Sequence, residues 1–172
     1  MKYISIMMLL VVVLVSSGCA LTDRLYGRNT NTPAPVVTNT EPVREPNPEY
    51  TLDLSNQNLT KVPDNVFNNT NLEALNISNN KITGALQGEI RKLQNLRVLD
   101  ASNNLMTGVP AEIGQLQNLE VLDLSYNKLT GLPNELGNLK KLKMLNLLGN
   151  NYSEADINGI IEQLPNDVTI VR

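Results

Sequence analysis

The stretch Leu119 to Leu139, LEVLDLSYNKLTGLPNELGNL, nearly repeats the stretch before it, Leu96 to Leu116, LRVLDASNNLMTGVPAEIGQL. A chain that writes the same segment several times uses one structural unit several times, and that period decides the fold before residue propensities do. Outward from these two copies the same positions recur. Leu52, Leu75, Leu99, Leu122 and Leu145 stand at spacings of 23, 24, 23 and 23 residues. Two residues further on come Leu54, Ile77, Ala101, Leu124 and Leu147. Then follow Gln57, Asn80, Asn104, Asn127 and Asn150, and after them Leu59, Ile82, Met106, Leu129 and Tyr152.

The spacing has a physical meaning. Leu122-x-Leu124 is a two-residue period, hence a short strand with one buried face. Successive units stack such strands into a parallel sheet, which requires a crossover between each pair. Leu132, Leu136 and Leu139 are the apolar positions of that return, and Pro133 predicts a short helical turn after it. The asparagines fall where the chain must bend, and an Asn side chain there bonds backbone groups that a tight turn leaves unpaired. They are read as framework, not as a site.

Aligned on Leu-x-x-Leu-x-Leu-x-x-Asn-x-Leu, the five units resemble the leucine-rich repeat family. The resemblance implies an α/β architecture: a leucine-rich repeat solenoid over residues 50–172, a short right-handed horseshoe with a parallel sheet on its concave face. Two departures from the pattern carry expectations of their own. The unit from Leu72 has an extra residue, Ala85, with Gln87 where its neighbours have Pro110 and Pro133, so its back should bulge. Ala101 under-fills the core by about three carbons, a deficit of ~2–3 kcal/mol unless the flexible Met106 fills it.

A solenoid exposes its ends and must cap them. The first unit has Glu49 in place of the leading Leu and Val66-Phe67 in its return, without the paired Cys cap of secreted plant and animal relatives. At the other end Ser153 is placed to cap a helix over Glu154 to Gln163, with Asp156 completing an approximate capping box. Ile157, Ile160, Ile161 and Leu164 form one apolar stripe, Pro165 stops the helix, and Val168-Thr169-Ile170 supplies a last strand. This helix is read as a C-terminal cap rather than a partner-binding element.

Ahead of the repeats lie two further segments. Residues 1–18 read as a signal peptide: one charge at Lys2, an apolar run from Ile4 to Val15, then small residues. Twelve residues of helix reach only about 18 Å against roughly 30 Å of hydrocarbon, too short for a permanent span. Val15-Ser16-Ser17-Gly18-Cys19 resembles the lipobox of bacterial lipoproteins, although Ser16 stands where that family usually has Leu. The resemblance implies cleavage before Cys19 and its lipidation, hence a membrane anchor in the bacterial cell envelope. Ala20 after the Cys implies the outer membrane over the inner, with the domain in the periplasm or at the cell surface. Residues 19–49 follow as the lipidated Cys and a disordered, Pro-rich tether. Pro33, Pro35, Pro42, Pro46 and Pro48 fall in it without apolar periodicity, a composition that cannot offset its ordering entropy.

Composition narrows the function. The chain has no His, one Cys and a formal charge of -3. The commonest general base and metal ligand is therefore missing, no intramolecular disulfide can close, and no basic stripe exists for nucleic acid. Neither a metal nor a cofactor is expected, and a monomer is. On the concave face one row reads Thr51, Ala74, Val98, Val121 and Met144; the next reads Asp53, Asn76, Asp100, Asp123 and Asn146. A third reads Ser55, Ser78, Ser102, Ser125 and Leu148, with Tyr126 beside it. Asp-Leu-Ser is common wording for this repeat, so the exceptions Tyr126, Met144 and Leu148 are the informative positions. The ligand-binding residues read from this face are Val98, Asp100, Val121, Asp123, Tyr126, Met144, Asn146 and Leu148. Asp100 and Asp123 could be neighbouring carboxylates, but no nucleophile, base or metal cluster accompanies them, so no enzyme is expected. The Asn-x-Ser/Thr triplets at Asn58, Asn68, Asn76 and Asn151 are read as coincidence, because the lipobox implies a bacterial route. The functional expectation is a non-catalytic module that binds a protein or peptide. The alternative is a structural or adhesive envelope protein that binds glycan or matrix.

Overall fold

The computed structural model describes residues 48–172; the signal peptide 1–18, Cys19 and all but the last two residues of the tether lie outside the described residues. The order begins with a 3-10 turn at Pro48–Tyr50, then β1 (Thr51–Asp53), β2 (Ala74–Asn76), β3 (Thr83–Gly84), β4 (Val98–Asp100), β5 (Leu105–Met106), β6 (Val121–Asp123), β7 (Met144–Asn146), α1 (Glu154–Ile161) and β8 (Thr169–Val171). Six strands form one sheet in the order β1-β2-β4-β6-β7-β8, and every pair is parallel.

Register follows from the repeat itself. Leu52 pairs with Leu75, Leu75 with Leu99, Leu99 with Leu122, Leu122 with Leu145, and Leu145 with Ile170. A one-residue slip would turn this row of leucines outward, so the buried face locks the pairing. The strands are three residues long because a polar side chain ends each of them. Asn76, Asp100 and Asp123 each accept the N–H of the Ser two residues on through Oδ1, at 3.0, 3.0 and 2.9 Å, closing an Asx turn.

The returns are 3-10 turns: Asp64–Asn68, Gly88–Lys92, Ala111–Gln115 and Asn134–Asn138. Pro63, Pro110 and Pro133 sit one residue ahead of the first helical position, at φ between -58 and -73°, which the ring sets in advance. Gln87 takes the same extended backbone without a ring, and its Nε2 donates to Val62 O at 2.6 Å. Gly114 allows successive turns to stack closely: a Cβ there would lie 2.2 Å from Glu135 O.

Beside the inserted Ala85 the chain forms additional strand pairing. Gly84 adopts φ 69°, and β3 pairs with β5 as a second, two-stranded parallel ladder. The apolar residues form one continuous core from Val62 to Leu164, in which Ala101 and Met106 are both buried. A shallow depression beside Met106, lined also by Leu86, Val109, Ile113 and Leu124, encloses no water-sized space. At the C-terminal end Ser153 Oγ accepts the Asp156 N–H at 3.1 Å, and Ile157, Ile160 and Leu164 are buried. The helix ends at Ile161 rather than the expected Gln163. The Gln163 N–H bonds back only three residues, to Ile160 O, and Pro165 keeps Leu164 out of helical geometry. The last strand is likewise Thr169–Val171, one residue later than expected, because Ile170 is the residue in register with Leu145.

Candidate functional site: the strand face

Parallel pairing puts equivalent residues of successive units side by side, about 4.8 Å apart. Val98, Val121, Met144 and Thr169 are direct partners on β4, β6, β7 and β8, and so are Asp100, Asp123, Asn146 and Val171. The two rows lie two residues apart on each strand and face the same way. The structure thus gathers Val98, Asp100, Val121, Asp123, Met144 and Asn146 on one face of one sheet. Of these only Met144 is exposed; the others are half-buried.

The third row needs correction. Ser78, Ser102 and Ser125 are buried, not presented to solvent. Their hydroxyls donate to Asn76, Asp100 and Asp123 Oδ1 at 2.7, 2.7 and 2.6 Å. The Asx turn draws each Ser inward, so Asp-Leu-Ser functions as a strand terminator. Asp123 is held further: Asn146 Nδ2 donates to its Oδ2 at 2.9 Å.

What the framework leaves exposed is the C-terminal apolar group. Tyr126, Met144 and Leu148 are 54%, 40% and 37% exposed. Among the described residues, Leu105 on β5 is the other large apolar side chain so exposed. Tyr126 occupies the left-handed position of its unit at φ 52°, where Asn56, Asn79 and Asn103 stand in earlier units and Gly149 in the next. Its N–H donates to Leu148 O at 2.7 Å, and its ring lies over Gly149, where a Cβ would sit 2.8 Å from Tyr126 Cδ1.

The asparagine row is framework, bonded as its position requires. Asn127 Nδ2 donates to Ala101 O, Leu124 O and Ser125 O, and its Oδ1 accepts the Met106 N–H. Asn80 and Asn104 repeat this pattern, and Asn150 repeats most of it, so each side chain ties its own unit to the one before.

One feature escaped the sequence reading. The residue just before β2, β4, β6 and β7 alternates in charge: Glu73, Arg97, Glu120, Lys143. They form a chain of ion pairs along the rim, with Arg97 reaching Glu73 at 3.5 Å and Glu120 at 2.8 Å, and Lys143 reaching Glu120 at 3.1 Å. Burial pushes the Glu120 carboxyl up, but hydrogen bonds from Arg97 and Lys143 and their charges outweigh it and hold the group below its ordinary value. The hydrogen bond to Glu120 raises Arg97 against the opposing effect of burial. The signal was present as an alternating sign at one repeat position. Neither that row nor Leu105 carries chemistry, and no group of three or more metal-ligating side chains occurs among the described residues. No helix among them is long and apolar enough to cross a membrane.

Comparison with known proteins agrees with this geometry. The family model described as Leucine rich repeat matches residues 50–106, and that described as Leucine Rich repeats (2 copies) matches 94–134 and 117–162. Among solved structures the chain is similar to the leucine-rich repeat protein LIC12759 of Leptospira interrogans, at 41% identity and TM-score 0.62, over 66% of this chain and 28% of that one. It is also similar to the ectodomain of the receptor kinase SOBIR1 from Arabidopsis thaliana, at 29% identity and TM-score 0.57, over 70% and 65% of the two chains. A third is the plant peptide hormone receptor RGFR1 in complex with RGF2, at 34% identity and TM-score 0.57, over 70% and 21%. The chain thus spans less than two thirds of the length of each of these relatives. No curated protein matches the sequence.

Proposed function

The chain belongs to the leucine-rich repeat family, and from that premise we propose a non-catalytic protein-binding module, displayed from a membrane by a lipid on Cys19. It takes a protein or peptide segment on its strand face, towards the C-terminal half. The observation that carries this reading is the exposure of Tyr126, Met144 and Leu148 on a face whose other apolar residues, Ala74, Val98 and Val121, are buried or half-buried. Exposed aromatic and Met side chains of this kind form interface centres. Support also comes from RGFR1, a repeat receptor solved with RGF2. Size limits the partner: six strands at about 4.8 Å and two rows of side chains offer a few hundred square ångströms, below the ~800 Å² per partner of a standard interface. An extended segment or a loop fits that area.

The lipobox-like run ending at Cys19, with Ala20 after it, supports attachment in the bacterial cell envelope, at the outer rather than the inner membrane. Palmitate labelling of the wild-type chain against Cys19→Ala tests the anchor: label that persists in the variant would remove it from the proposal. For the face, partners captured by pulldown should bind less well to Ala variants at Val121, Asp123, Tyr126, Met144 and Leu148. Binding unchanged across that set would move the site off the strands.

A further inference from the structure

Resting on the strand-face reading above, we infer that the segment this face takes is an extended, positively charged one, with a lysine or arginine about three residues from an apolar or aromatic side chain. The apolar end is marked by Tyr126. At its place in the repeat the backbone is left-handed, with φ of 59, 55 and 53° at Asn56, Asn79 and Asn103 and 72° at Gly149. Asn and Gly tolerate that conformation, whereas a bulky ring there is a genuine outlier. The framework alone therefore calls for Asn at 126. The ring instead stands exposed over Gly149, next to Leu148, as an anchor for an apolar group.

The charge of the occupant follows from what surrounds that anchor. The strand rows carry three carboxylates, Asp53, Asp100 and Asp123, and no lysine or arginine, although the described residues include ten of those cations elsewhere. Asp100 and Asp123 each commit one oxygen to the following Ser, and Asp123 commits the other to Asn146. Asp100 Oδ2 accepts no bond among the described residues. A cationic side chain crossing β4 and β6 would meet the two carboxylates, and the tyrosine face attracts the same charge. Tyr126 lies three residues beyond Asp123 in the same unit, at most about 10 Å away, which an extended chain covers in roughly three residues. An acidic side chain in the same place would be repelled by both carboxylates.

The test is selection of a random twelve-residue peptide library on the purified full chain, followed by affinity measurement of the selected peptides. The expected consensus holds Lys or Arg about three positions from an apolar residue. Affinity should drop about tenfold in the Asp100→Asn, Asp123→Asn double variant and weaken with added salt. Tyr126→Asn should also reduce binding at least tenfold while leaving the melting temperature equal or higher, since it restores the residue of three other units; a merely structural Tyr126 would lower it. Peptides of neutral or acidic consensus that lose affinity with Tyr126→Asn would overturn the charge inference and leave strand-face binding standing. Peptides that bind the Tyr126→Asn and double variants like wild type, or no selected peptide at all, would overturn both.

Discussion

Asn127 is the clearest place to test how the repeat is held together. Truncation to Ala removes four hydrogen bonds, but they are not equivalent. Ala101 O keeps a second donor in Asn104 Nδ2, Leu124 O keeps Asn150 Nδ2, and Ser125 O keeps the Asn103 N–H. No carbonyl is left without a donor, so those losses are modest. The Met106 N–H is different. It donates to Asn127 Oδ1 at 3.1 Å from a buried residue, and the variant leaves it facing apolar core. An orphaned buried donor costs about 1–3 kcal/mol, and the weakened carbonyl bonds add about 1 more. Asn127→Ala should therefore lose roughly 2–4 kcal/mol, a drop on the order of 10 °C in melting temperature for a domain of this size.

Asn150 provides the internal control, because it makes the same kind of bond to the Leu129 N–H but is only half-buried. Water can replace its side chain, so Asn150→Ala should cost about half as much. Urea unfolding of both variants beside wild type is the assay. A loss under about 0.5 kcal/mol at Asn127, or an equal loss at the two positions, would refute the reasoning, since access of water to the vacated side-chain position is what sets the magnitude. Asn127→Asp sharpens the point. It retains an acceptor for Met106 but turns a second oxygen towards three carbonyls, so the carboxyl should titrate high. A raised folded-state pKa makes the variant most stable at low pH, with stability lost as pH rises through that value.

Other substitutions probe other parts of the argument. Gly114→Ala would place a Cβ 2.2 Å from Glu135 O, a backbone atom that cannot swing aside, and should cost about 1–3 kcal/mol or more by thermal unfolding. Gly108→Ala, with nothing within 4 Å, should be neutral or slightly stabilising, and a matching loss at both would deny that stacking selects the glycine. Glu120→Gln should lose about 2 kcal/mol at neutral pH through its bonds to Arg97 and Lys143. Because the folded-state pKa of Glu120 is depressed, its contribution is complete above the ordinary glutamate value of about 4.3 and is lost as pH falls through the lower folded value. The acid limb of the stability curve should accordingly flatten in Glu120→Gln, and an unchanged limb would exclude this group from acid unfolding. Limited proteolysis of the full chain should cut between Ala20 and Glu49 and release an intact repeat domain; resistance across that segment would contradict the tether.

Most of the fold was legible because a repeat states its own register. Once Leu52, Leu75, Leu99, Leu122 and Leu145 are aligned, the pairing of five strands follows, and the expected last strand joins them one residue later than its spelling suggests, with Ile170 opposite Leu145. The helix cap was legible for a local reason, a Ser153 side chain with a free backbone N–H three residues on. The errors came from interactions that alignment does not describe. The serines were placed on the outer face by counting along the strand, but the strand ends before them, and the hydroxyl turns inward to Asp100 or Asp123. The second ladder at Thr83–Gly84 depends on Gly84 adopting a left-handed turn, and nothing in its spelling separates that from an ordinary loop glycine.

The candidate site is a different kind of inference from the fold, and the repeat explains why. Wherever units agree, their shared residue is accounted for by packing or by a bond to the unit before, as at Asn104 and Asn127. Agreement therefore reports on stability and is silent about a partner. Information about function is left in the disagreements, and they differ in what explains them. Ala101 against Leu lies in a core where both it and Met106 are buried, and Gln87 against Pro is absorbed by its bond to Val62 O. Tyr126 against Asn is not absorbed by anything inside the chain: its ring is exposed, its backbone is in a region that suits Asn better, and its ring lies over Gly149, which offers no side chain to bury it. A departure that worsens local geometry and gains no buried contact is the one the framework does not explain, and for that reason the proposed partner contact is centred on Tyr126.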